Sequence, residues 1–226
     1  MQDQVDAPAA RVALVAGATG LVGQAVLAAL LTDKHYAAVH CVGRRSPKHT
    51  HPKLRAHVLD LASLKKLPGI DHVDDVFIAL GTTIKTAGSQ AAFRAIDFDA
   101  VIAVARAAKA VGASRLGVVS AMGASPTSSV FYSRIKGEME ETLGQLGYQS
   151  LAIARPSMLA GNRAALAQAD RPGEHLALLA TRWLKPLIPA NYRAIAAEDV
   201  AQALIKAVQQ AKEGKRVLLS GEMQHL

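Results

Sequence analysis

Residues 11–30 of this chain read RVALVAGATGLVGQAVLAAL, and this stretch decides the fold. An apolar run ends at Ala16, three glycines follow at three-residue spacing, and the remaining residues repeat with the period of a helix. The glycines are Gly17, Gly20 and Gly23. Glycines after a strand allow a sharp turn and a close approach to a pyrophosphate, which the N–H groups at the start of a helix bind. The order strand, glycines, helix therefore predicts a dinucleotide site, although a tight turn without a ligand is the alternative.

Six further apolar or β-branched runs alternate with helical patterns along the rest of the chain. With the first run included, the predicted strands are RVALVAG, AVHCVG, RAHVLDL, DDVFIALG, RLGVVSA, SLAIARP and KRVLLSG. The predicted helices are 20–31, 90–111, 130–146 and 198–211. Because the strands are apolar throughout, we expect both faces of the sheet to be covered by helices. The sequence thus predicts an α/β fold of Rossmann type, doubly wound around a mainly parallel seven-stranded sheet.

A single domain accounts for the predicted elements. No repeat or low-complexity linker interrupts residues 11–226, which we assign to one NAD(P)-binding domain. Residues 1–10 carry acidic side chains but no lysine or arginine, and we interpret them as a loose N-terminal tail. The region at about 157–197 lacks a clear alternation and is interpreted as a lid or substrate segment.

Composition narrows the cellular setting that we expect. Half of the 226 residues are apolar, which is enough for a sizeable core without disulfides or metal. The one cysteine, Cys41, lies in an apolar run and is interpreted as a core residue, and no zinc-ligand spacing occurs. The tail has the wrong charge order for a secretory signal, and no uncharged apolar stretch approaches the ~20 residues of a membrane helix. These observations predict a soluble, cytoplasmic protein without a metal or a membrane segment.

The end of the second predicted strand bears on the choice of cofactor. An NAD site expects an Asp or Glu about 20 residues beyond the glycines, to accept from the ribose 2′-hydroxyl. Here Gly43 is followed by Arg44 and Arg45, and two guanidiniums suit the 2′-phosphate of NADP. NADP (NADPH) is therefore the predicted cofactor, and NAD is the alternative.

The excess of basic residues leaves two other interpretations of the same segment. The chain has a formal net charge of +8, and residues 44–55 hold five cations and no acid. Such a segment is also typical of a solvated loop or of a nucleic-acid contact. Only 4% of the residues are aromatic, and base stacking depends on aromatic side chains, so we expect no nucleic-acid partner.

Further strand ends are expected to face the same cofactor, because the carboxyl ends of parallel strands meet at one edge of a sheet. Asp60 is a candidate to bond the adenine edge, and it suits a helix N-cap equally well. Gly81 is expected to permit close approach, and Thr82 to bond a phosphate or ribose. The full set of predicted cofactor contacts is Gly17, Thr19, Gly20, Leu21, Val22, Gly23, Arg44, Arg45, Asp60, Leu61, Leu80, Gly81, Thr82, Thr83, Tyr132, Lys136, Pro156 and Ser157.

A tyrosine and a lysine four residues apart, Tyr132 and Lys136, are the candidates for acid–base chemistry. Residues at i and i+4 share a helix face, so the ammonium can favour the phenolate form of the tyrosine. A phenol near its phenolate form is a useful proton donor or acceptor. On its own the pair also fits an amphipathic helix with a packed tyrosine and a solvated lysine. Ser120, at the end of the fifth strand and twelve residues before Tyr132, favours the catalytic interpretation.

These motifs together carry a resemblance to a known family. The glycine triplet, Ser120 and Tyr132-x-x-x-Lys136, in this order, resemble the short-chain dehydrogenase/reductase superfamily, and the compact length is similar to its atypical branch. VGRRS, ALGTT, VVSAMGAS, FYSRIKGEME, ARPSMLAGNR and DRPGEHLA extend the resemblance from Arg11 onward. They are similar to the small NAD(P)-binding proteins related to the Tat-interacting oxidoreductase-like protein.

The resemblance implies a role for each candidate. It implies that Tyr132 exchanges a proton with the substrate oxygen, that Lys136 binds the nicotinamide ribose, and that Ser120 positions the substrate carbonyl. It also implies an asparagine in the helix after the fourth strand, which supports a proton relay, and this sequence has Asp97 there. Asp97 can hold a water in the same way, or it is a capping or exposed acid. Pro156, with Ser157, is an implied neighbour of the nicotinamide, or it ends the sixth strand.

Two functions from different classes follow from these residues. The first is an NADP(H)-dependent oxidoreductase that transfers hydride between the nicotinamide and a small carbonyl or alcohol substrate, with Ser120, Tyr132 and Lys136 as its catalytic residues. The alternative is a regulatory or interaction protein that binds NADP(H) with little or no turnover. The fold alone does not separate them. Either protein is expected to be a monomer or a homodimer.

Overall fold

A computed structural model describes residues 10–160 and 189–224. The proposed N-terminal tail and most of the proposed lid segment lie outside these ranges. The strands are β1 (Arg11–Ala16), β2 (Tyr36–Gly43), β3 (Leu54–Val58), β4 (Asp75–Ile78), β5 (Arg115–Val119), β6 (Ser150–Arg155), β7 (Leu159–Ala160), β8 (Ile195–Ala196) and β9 (Gly214–Leu219). The helices are α1 (Leu21–Thr32), α2 (Ile84–Ala87), α3 (Gln90–Arg94), α4 (Ala100–Ala110), α5 (Phe131–Gly144), α6 (Ala197–Gln210) and α7 (Ser220–Met223).

Seven strands form one sheet in the order β3-β2-β1-β4-β5-β6-β9, and the strand pairings within it are all parallel. The predicted seven strands and the predicted Rossmann-type fold are confirmed. Strand β1 pairs with β2 on one side and β4 on the other, so the chain order reverses direction beside β1. A crevice opens at the carboxyl ends of the strands at such a reversal, and ligands of open α/β sheets bind there.

Apolar helices cover both faces of the sheet. One core lies under α1 and α6 and includes Val26, Leu27 and Leu204, and the other lies under α4 and α5 and includes Val104 and Met139. Cys41 is buried in the first core as predicted, and this burial raises the pKa of its thiol to about 12. Double coverage explains why the strands are apolar throughout, since neither face meets solvent.

A buried charged network closes the amino-terminal edge of the sheet. Asp75 is fully buried, and it accepts two hydrogen bonds from Arg11, at 2.7 and 2.8 Å, and one from the Tyr36 hydroxyl, at 2.9 Å. Burial and the adjacent carboxylate raise the pKa of the Tyr36 phenol. Arg11, Tyr36 and Asp75 are the first residues of β1, β2 and β4. The network therefore joins these three strands at the sheet edge opposite the crevice.

The predicted long helix 90–111 contains an irregular turn. Between α3 and α4 the chain forms a π-helical turn, Ala95–Asp99, which directs Asp97 into the interior. Such single π turns inside helices are often found at functional sites. The short elements α2 and α7 and the β7–β8 pair were not predicted, because each is too short to show a hydrophobic period. No helix within the described ranges combines the length and apolar character needed to cross a membrane.

Candidate active site

The crevice edge collects the predicted site residues, because parallel strands end together. Gly17 follows β1, Arg44 and Arg45 follow β2, and Asp60 follows β3. The residues Leu80, Gly81, Thr82 and Thr83 follow β4, Ser120 follows β5, and Pro156 and Ser157 follow β6. Tyr132 and Lys136 join them from the first turns of α5. Segments that are far apart in sequence therefore converge on one side of the sheet.

The three glycines have different roles in the turn between β1 and α1. Gly17 has a φ of +89°, and a Cβ on it would lie 2.5 Å from the carbonyl oxygen of Ala79. A Cβ on Gly23 would lie 2.0 Å from the carbonyl oxygen of Gly17. These two glycines are required by the protein's own backbone, at the reversal and where α1 meets the turn.

Gly20 has no such requirement. A Cβ on it would meet the Gly17 oxygen at 3.4 Å and the Ala79 oxygen at 3.9 Å, which are ordinary contacts. Gly20 is the N-cap of the twelve-residue helix α1, no side chain caps this end, and its first turn has no acidic residue. The N–H groups of the first turn before Gln24, from Leu21 to Gly23, are thus available for an anion, and Gly20 keeps the space before them clear. This arrangement fits the pyrophosphate of a dinucleotide.

Arg44 and Arg45 directly follow β2, at the crevice edge of the sheet. Both are exposed, and neither makes a hydrogen bond or ion pair with another described residue. Two other cations of the basic segment are engaged with the chain itself. Lys53 donates to the Asp33 carbonyl at 2.7 Å, and Arg55 donates to the Pro52 carbonyl at 2.6 Å. Arg44, Arg45 and Lys48 are thus the exposed cations of this segment without a partner among the described residues, and the two arginines directly follow β2.

Asp60 is exposed and its carboxylate organises its own turn. It accepts from the Ala62 N–H at 3.1 Å and from the Ser63 hydroxyl at 3.0 Å. This is an Asx turn and not the helix N-cap that the sequence offered as an alternative, because the next element is the strand β4. The side chain of the neighbouring Leu61 is buried in the core under α4 and α5. Any contact of Leu61 with an adenine would therefore come from its backbone.

The segment after β4 links the crevice to the helix that follows. Thr83 caps α2, since its side chain accepts from the Thr86 N–H at 3.1 Å. The Thr82 N–H donates to Asp97 at 2.9 Å. Gly81 is exposed, and a Cβ on it would lie 3.5 Å from Asp97 Oδ1 and 3.9 Å from Lys136 Nζ. Gly81 therefore lies directly beside the charged pair of the candidate site.

Asp97 and Lys136 form that buried pair. Lys136 Nζ lies 2.7 Å from Asp97 Oδ1, with 4% of the lysine side chain and 1% of the aspartate side chain exposed. Burial raises the pKa of the Asp97 carboxyl, and the ammonium of Lys136 acts in the opposite direction. The interpretation of Asp97 as an exposed acid is wrong, because the π-helical turn buries it. The interpretation of Lys136 as a solvated lysine is also wrong, because its charge is paired inside the protein.

Tyr132 lies one helical turn before Lys136 and is half-buried. Its ring is 5.4 Å from the ring of the fully buried Phe93, which belongs to α3. Its hydroxyl makes no hydrogen bond to another residue within the described ranges. The ring is thus held by packing while the hydroxyl has donor and acceptor capacity to spare.

Ser120 is buried, and its hydroxyl begins a chain of two further residues that sequence reasoning missed. Its hydroxyl donates to Glu140 at 2.5 Å, and Glu140 accepts from Arg155 at 2.5 to 3.2 Å. The hydrogen bond to Glu140 raises the pKa of the Arg155 guanidinium. A signal was present in the sequence, because Glu140 stands four residues after Lys136 and eight after Tyr132 on the same helix face.

Close packing brings this helix face against the loop that follows β5. A Cβ on Gly137 would lie 2.1 Å from the carbonyl carbon of Ser125, so the helix and the loop touch backbone to backbone. The Ser125 N–H also donates to the Ser133 carbonyl at 3.0 Å. Gly137 thereby allows the loop after Ser120 to approach the helix that carries Tyr132 and Lys136.

The segment after β6 is tied to its own neighbours. The Pro156 carbonyl accepts from the Met122 N–H at 3.0 Å. Ser157 accepts at its hydroxyl from Ser220 at 3.0 Å and donates to the Arg193 carbonyl. The Ser157 side chain is therefore occupied within the chain, while both residues stay at the crevice edge as predicted.

Comparison with known proteins agrees with this geometry. The sequence model of the NAD(P)H-binding family matches residues 17–211. The chain is 32% identical over 215 residues to "Protein FMP52, mitochondrial" of Chaetomium globosum, covering 89% of this chain and 88% of that protein. It is 32% identical over 167 residues to "Protein HTATIP2" of Rattus norvegicus, covering 72% of this chain and 67% of that protein.

A solved structure shares the fold. The structure described as MoeE5 in complex with UDP-glucuronic acid and NAD superposes with a TM-score of 0.71 at 19% identity, over 92% of this chain and 76% of that chain. Another neighbour, the Bordetella bronchiseptica enzyme WbmF, was solved in complex with NAD+. At such low identity the likeness concerns the fold alone.

The comparisons also correct one prediction and fix the family. The cytoplasmic location expected from the single cysteine and the tail is contradicted, because the curated relatives from several fungi are named mitochondrial proteins. A reduced cysteine and the absence of a secretory pattern do not separate the cytoplasm from other reducing compartments. The glycine turn, the Tyr-x-x-x-Lys helix and these matches give one conclusion: the chain belongs to the NAD(P)H-binding family, in the Tat-interacting-like group of atypical short-chain dehydrogenases/reductases.

Proposed function

We propose that this protein is an NADP(H)-dependent oxidoreductase acting on a carbonyl or alcohol substrate, with Tyr132 as its acid–base residue. One observation carries the proposal: a buried lysine, fixed by Asp97 at 2.7 Å, stands one helical turn from a tyrosine whose hydroxyl has no described partner. A helix that merely packed on the sheet would leave its lysine in solvent, since burying an ammonium is costly. The arrangement supports a positioned charge beside a free phenol.

The residues of the crevice suit each part of the cofactor. The N–H groups at the start of α1, behind Gly20, would hold the pyrophosphate. Arg44 and Arg45 would hold the 2′-phosphate, and Lys136 would meet the nicotinamide ribose beside Gly81. When bound, the nicotinamide supplies or accepts the hydride.

The chain's own contribution is proton transfer and orientation. In reduction, the Tyr132 hydroxyl gives its proton to the substrate oxygen, and in oxidation the phenolate takes it back. Lys136 lies one helical turn from Tyr132, and Asp97 keeps its ammonium in place from the π-helical turn. Phe93 holds the tyrosine ring, so that the proton is delivered from a fixed position.

The preference for NADP over NAD rests on the two free arginines. Charge-assisted bonds to phosphate contribute about 1.5 to 3 kcal/mol each when partly shielded, so NADPH should bind at least about tenfold more tightly than NADH. Calorimetric titration of both cofactors at fixed ionic strength tests this. Replacing Arg44 and Arg45 with Ala together should bring the ratio of the two affinities towards one, mainly by weakening NADPH.

A matched variant separates a specific contact from general attraction. Arg55→Ala with Lys215→Ala removes two exposed charges near the starts of β3 and β9, at the sheet edge opposite the crevice. This control should leave the ratio of NADPH to NADH affinity nearly unchanged. Equal affinity of the two cofactors for the unmodified protein would remove the NADP assignment and leave the dinucleotide fold intact.

A second candidate function is favoured by a specific observation. The Ser120 hydroxyl is directed into Glu140, and Lys136 is engaged with Asp97, so two of the three candidate catalytic residues already have partners in the chain. An NADP(H)-binding regulatory protein with little turnover would tolerate this. A panel of aldehydes, ketones and alcohols followed at the absorbance of the reduced cofactor distinguishes the two. Tight NADPH binding with no turnover across the panel would favour regulation.

A further inference from the structure

The chain Ser120–Glu140–Arg155 crosses from β5 to α5 to β6 inside the protein. Ser120 is 5% exposed and Glu140 is 3% exposed. The Ser120 hydroxyl donates to Glu140 Oε1 at 2.5 Å, which is the length of a hydrogen bond to a charged acceptor. Arg155 contacts both oxygens of the same carboxylate, with its closest bond at 2.5 Å to Oε2. The three side chains form one connected unit.

The hydrogen-bond donors and acceptors of this unit decide what it offers to a ligand. A serine hydroxyl has one hydrogen and two lone pairs. A carboxylate only accepts, and an arginine only donates, so Glu140 must accept from both neighbours. The one hydrogen of Ser120 is therefore committed to Glu140. Only lone pairs of Ser120 remain for any other group.

We propose that Glu140, held by Arg155, is a positioning residue that fixes Ser120 as a hydrogen-bond acceptor towards the substrate. The proposal rests on the proposed function, and it adds the direction of the hydrogen bond between Ser120 and the substrate. Tyr132 is then the donor to a carbonyl oxygen, and Ser120 does not share that task. A hydroxyl or N–H close to the reacting carbon of the substrate is the group that Ser120 binds.

The variant Glu140→Gln reverses this polarity. Its amide has one oxygen and one NH₂ group, and the guanidinium of Arg155 can bond only the oxygen. The NH₂ group then faces Ser120, whose oxygen must accept from it. The hydroxyl hydrogen of Ser120 is released and becomes available to a carbonyl ligand. A purely structural role for Glu140 predicts no such Ser120-dependent change.

The direct test measures the carbonyl stretching frequency of a bound ligand. The probe is acetophenone labelled with ¹³C at its carbonyl, in complex with the protein and NADP⁺, so that hydride transfer does not occur. Ser120→Ala should leave the band where it is in the unmodified protein. Glu140→Gln should move it to lower wavenumber, and the double variant should return it. A shift to higher wavenumber in Ser120→Ala alone would overturn the proposal, because Ser120 would then be a donor.

A control on the same helix has the same change of charge. Glu138→Gln removes a carboxylate that pairs with Arg94 at 2.6 Å on the outer face of α5. This variant should not move the carbonyl band. A shift equal to that of Glu140→Gln would mean that the loss of a charge on α5, and not the Ser120 contact, is responsible.

A second measurement requires no ligand and decides the question if the probe fails to bind. Urea unfolding of the two single variants and the double variant measures the coupling between Ser120 and Glu140. Ser120→Ala should lower the folding equilibrium constant by roughly tenfold in the unmodified background and by clearly less in Glu140→Gln. An equal loss in both backgrounds would overturn the proposal. Failure of NADPH or acetophenone to bind, with the coupling present, would instead count against the proposed function.

Discussion

The two edges of the sheet each contain buried charges, and they use them differently. At the amino-terminal edge, Asp75 is bonded by Arg11 and Tyr36, whose own polar groups point at it. At the crevice edge, Lys136 is paired with Asp97, but the neighbouring Tyr132 hydroxyl has no described partner. At the first edge these polar groups bond one another, while the second edge has a hydroxyl that is left for a ligand.

This difference indicates how one sheet combines stability with a site. Buried charges are destabilising when one partner is missing, so the closed network at Asp75 holds strands β1, β2 and β4 together. The paired residues at the crevice hold functional groups in position and leave them available to a ligand. Substitutions at the first edge should therefore change stability, and those at the second should change binding or turnover.

The largest expected effect is on turnover at the crevice edge. Tyr132→Phe should lower the turnover of a confirmed substrate by about 10² to 10⁴-fold, the usual contribution of a general acid or base. NADPH affinity and the unfolding midpoint should stay nearly unchanged, because the ring still packs on Phe93. Steady-state kinetics and calorimetry measure both. A variant as fast as the unmodified protein would contradict the assignment of Tyr132.

The opposite edge should show the converse result. Asp75→Ala leaves Arg11 and Tyr36 without their shared acceptor, and we expect a loss of about 3 to 5 kcal/mol in the free energy of unfolding. Asp71→Ala is the control for the loss of a carboxylate near the same edge, since Asp71 is exposed and lies four residues before Asp75. It should cost clearly less in urea titrations. Folded Asp75→Ala protein with greatly weakened NADPH binding would break the division between the two edges.

The same contrast between stability and binding is expected among the glycines of the turn between β1 and α1. Gly23→Ala places a Cβ 2.0 Å from the Gly17 oxygen, so it should destabilise the fold by about 1 to 3 kcal/mol. A Cβ at Gly20 meets only ordinary contacts, so Gly20→Val should fold and lose NADPH affinity instead. Thermal unfolding with calorimetry on both variants separates the effects. Undiminished NADPH binding by folded Gly20→Val would remove the phosphate-cradle argument.

The smallest effect concerns a histidine pair between the two edges. His40 Nδ1 and His57 Nε2 lie 2.9 Å apart on β2 and β3, and burial lowers the pKa of both rings. A lowered pKa in the fold means that protonation favours the unfolded chain. Stability should thus be present above the ordinary value of about 6.5 and fall as the pH drops below it.

The variant His57→Gln isolates this contribution. Between pH 7 and pH 5, the free energy of unfolding of this variant should fall less than that of the unmodified protein. The difference between the two changes should be smaller than about 1 kcal/mol. Urea titrations at several pH values measure the difference. Parallel pH profiles for the two proteins would show that the pair does not titrate with folding.

Local patterns in the sequence were enough to predict most of the architecture. The seven strands of the sheet and the four long helices match the predicted runs, because apolar periodicity is a property of consecutive residues. The glycine triplet and the Tyr132–Lys136 spacing were visible for the same reason. Within the long helix, however, the period did not reveal the π-helical turn at Ala95–Asp99, since its residues are still helical and still apolar on one side.

The sequence by itself determined the fold, the dinucleotide turn and the identity of the acid–base candidates, since each depends on neighbours in the chain. The tertiary structure decided which charges meet. Asp97 and Lys136 are 39 residues apart, and Ser120 and Glu140 are 20 apart. Their contacts follow from how α5 crosses the sheet edge beside β4, β5 and β6, and from the backbone contact that Gly137 allows. Partner choice among buried polar groups depends on this three-dimensional approach, because a buried charge must be answered by whatever group the packing brings to it.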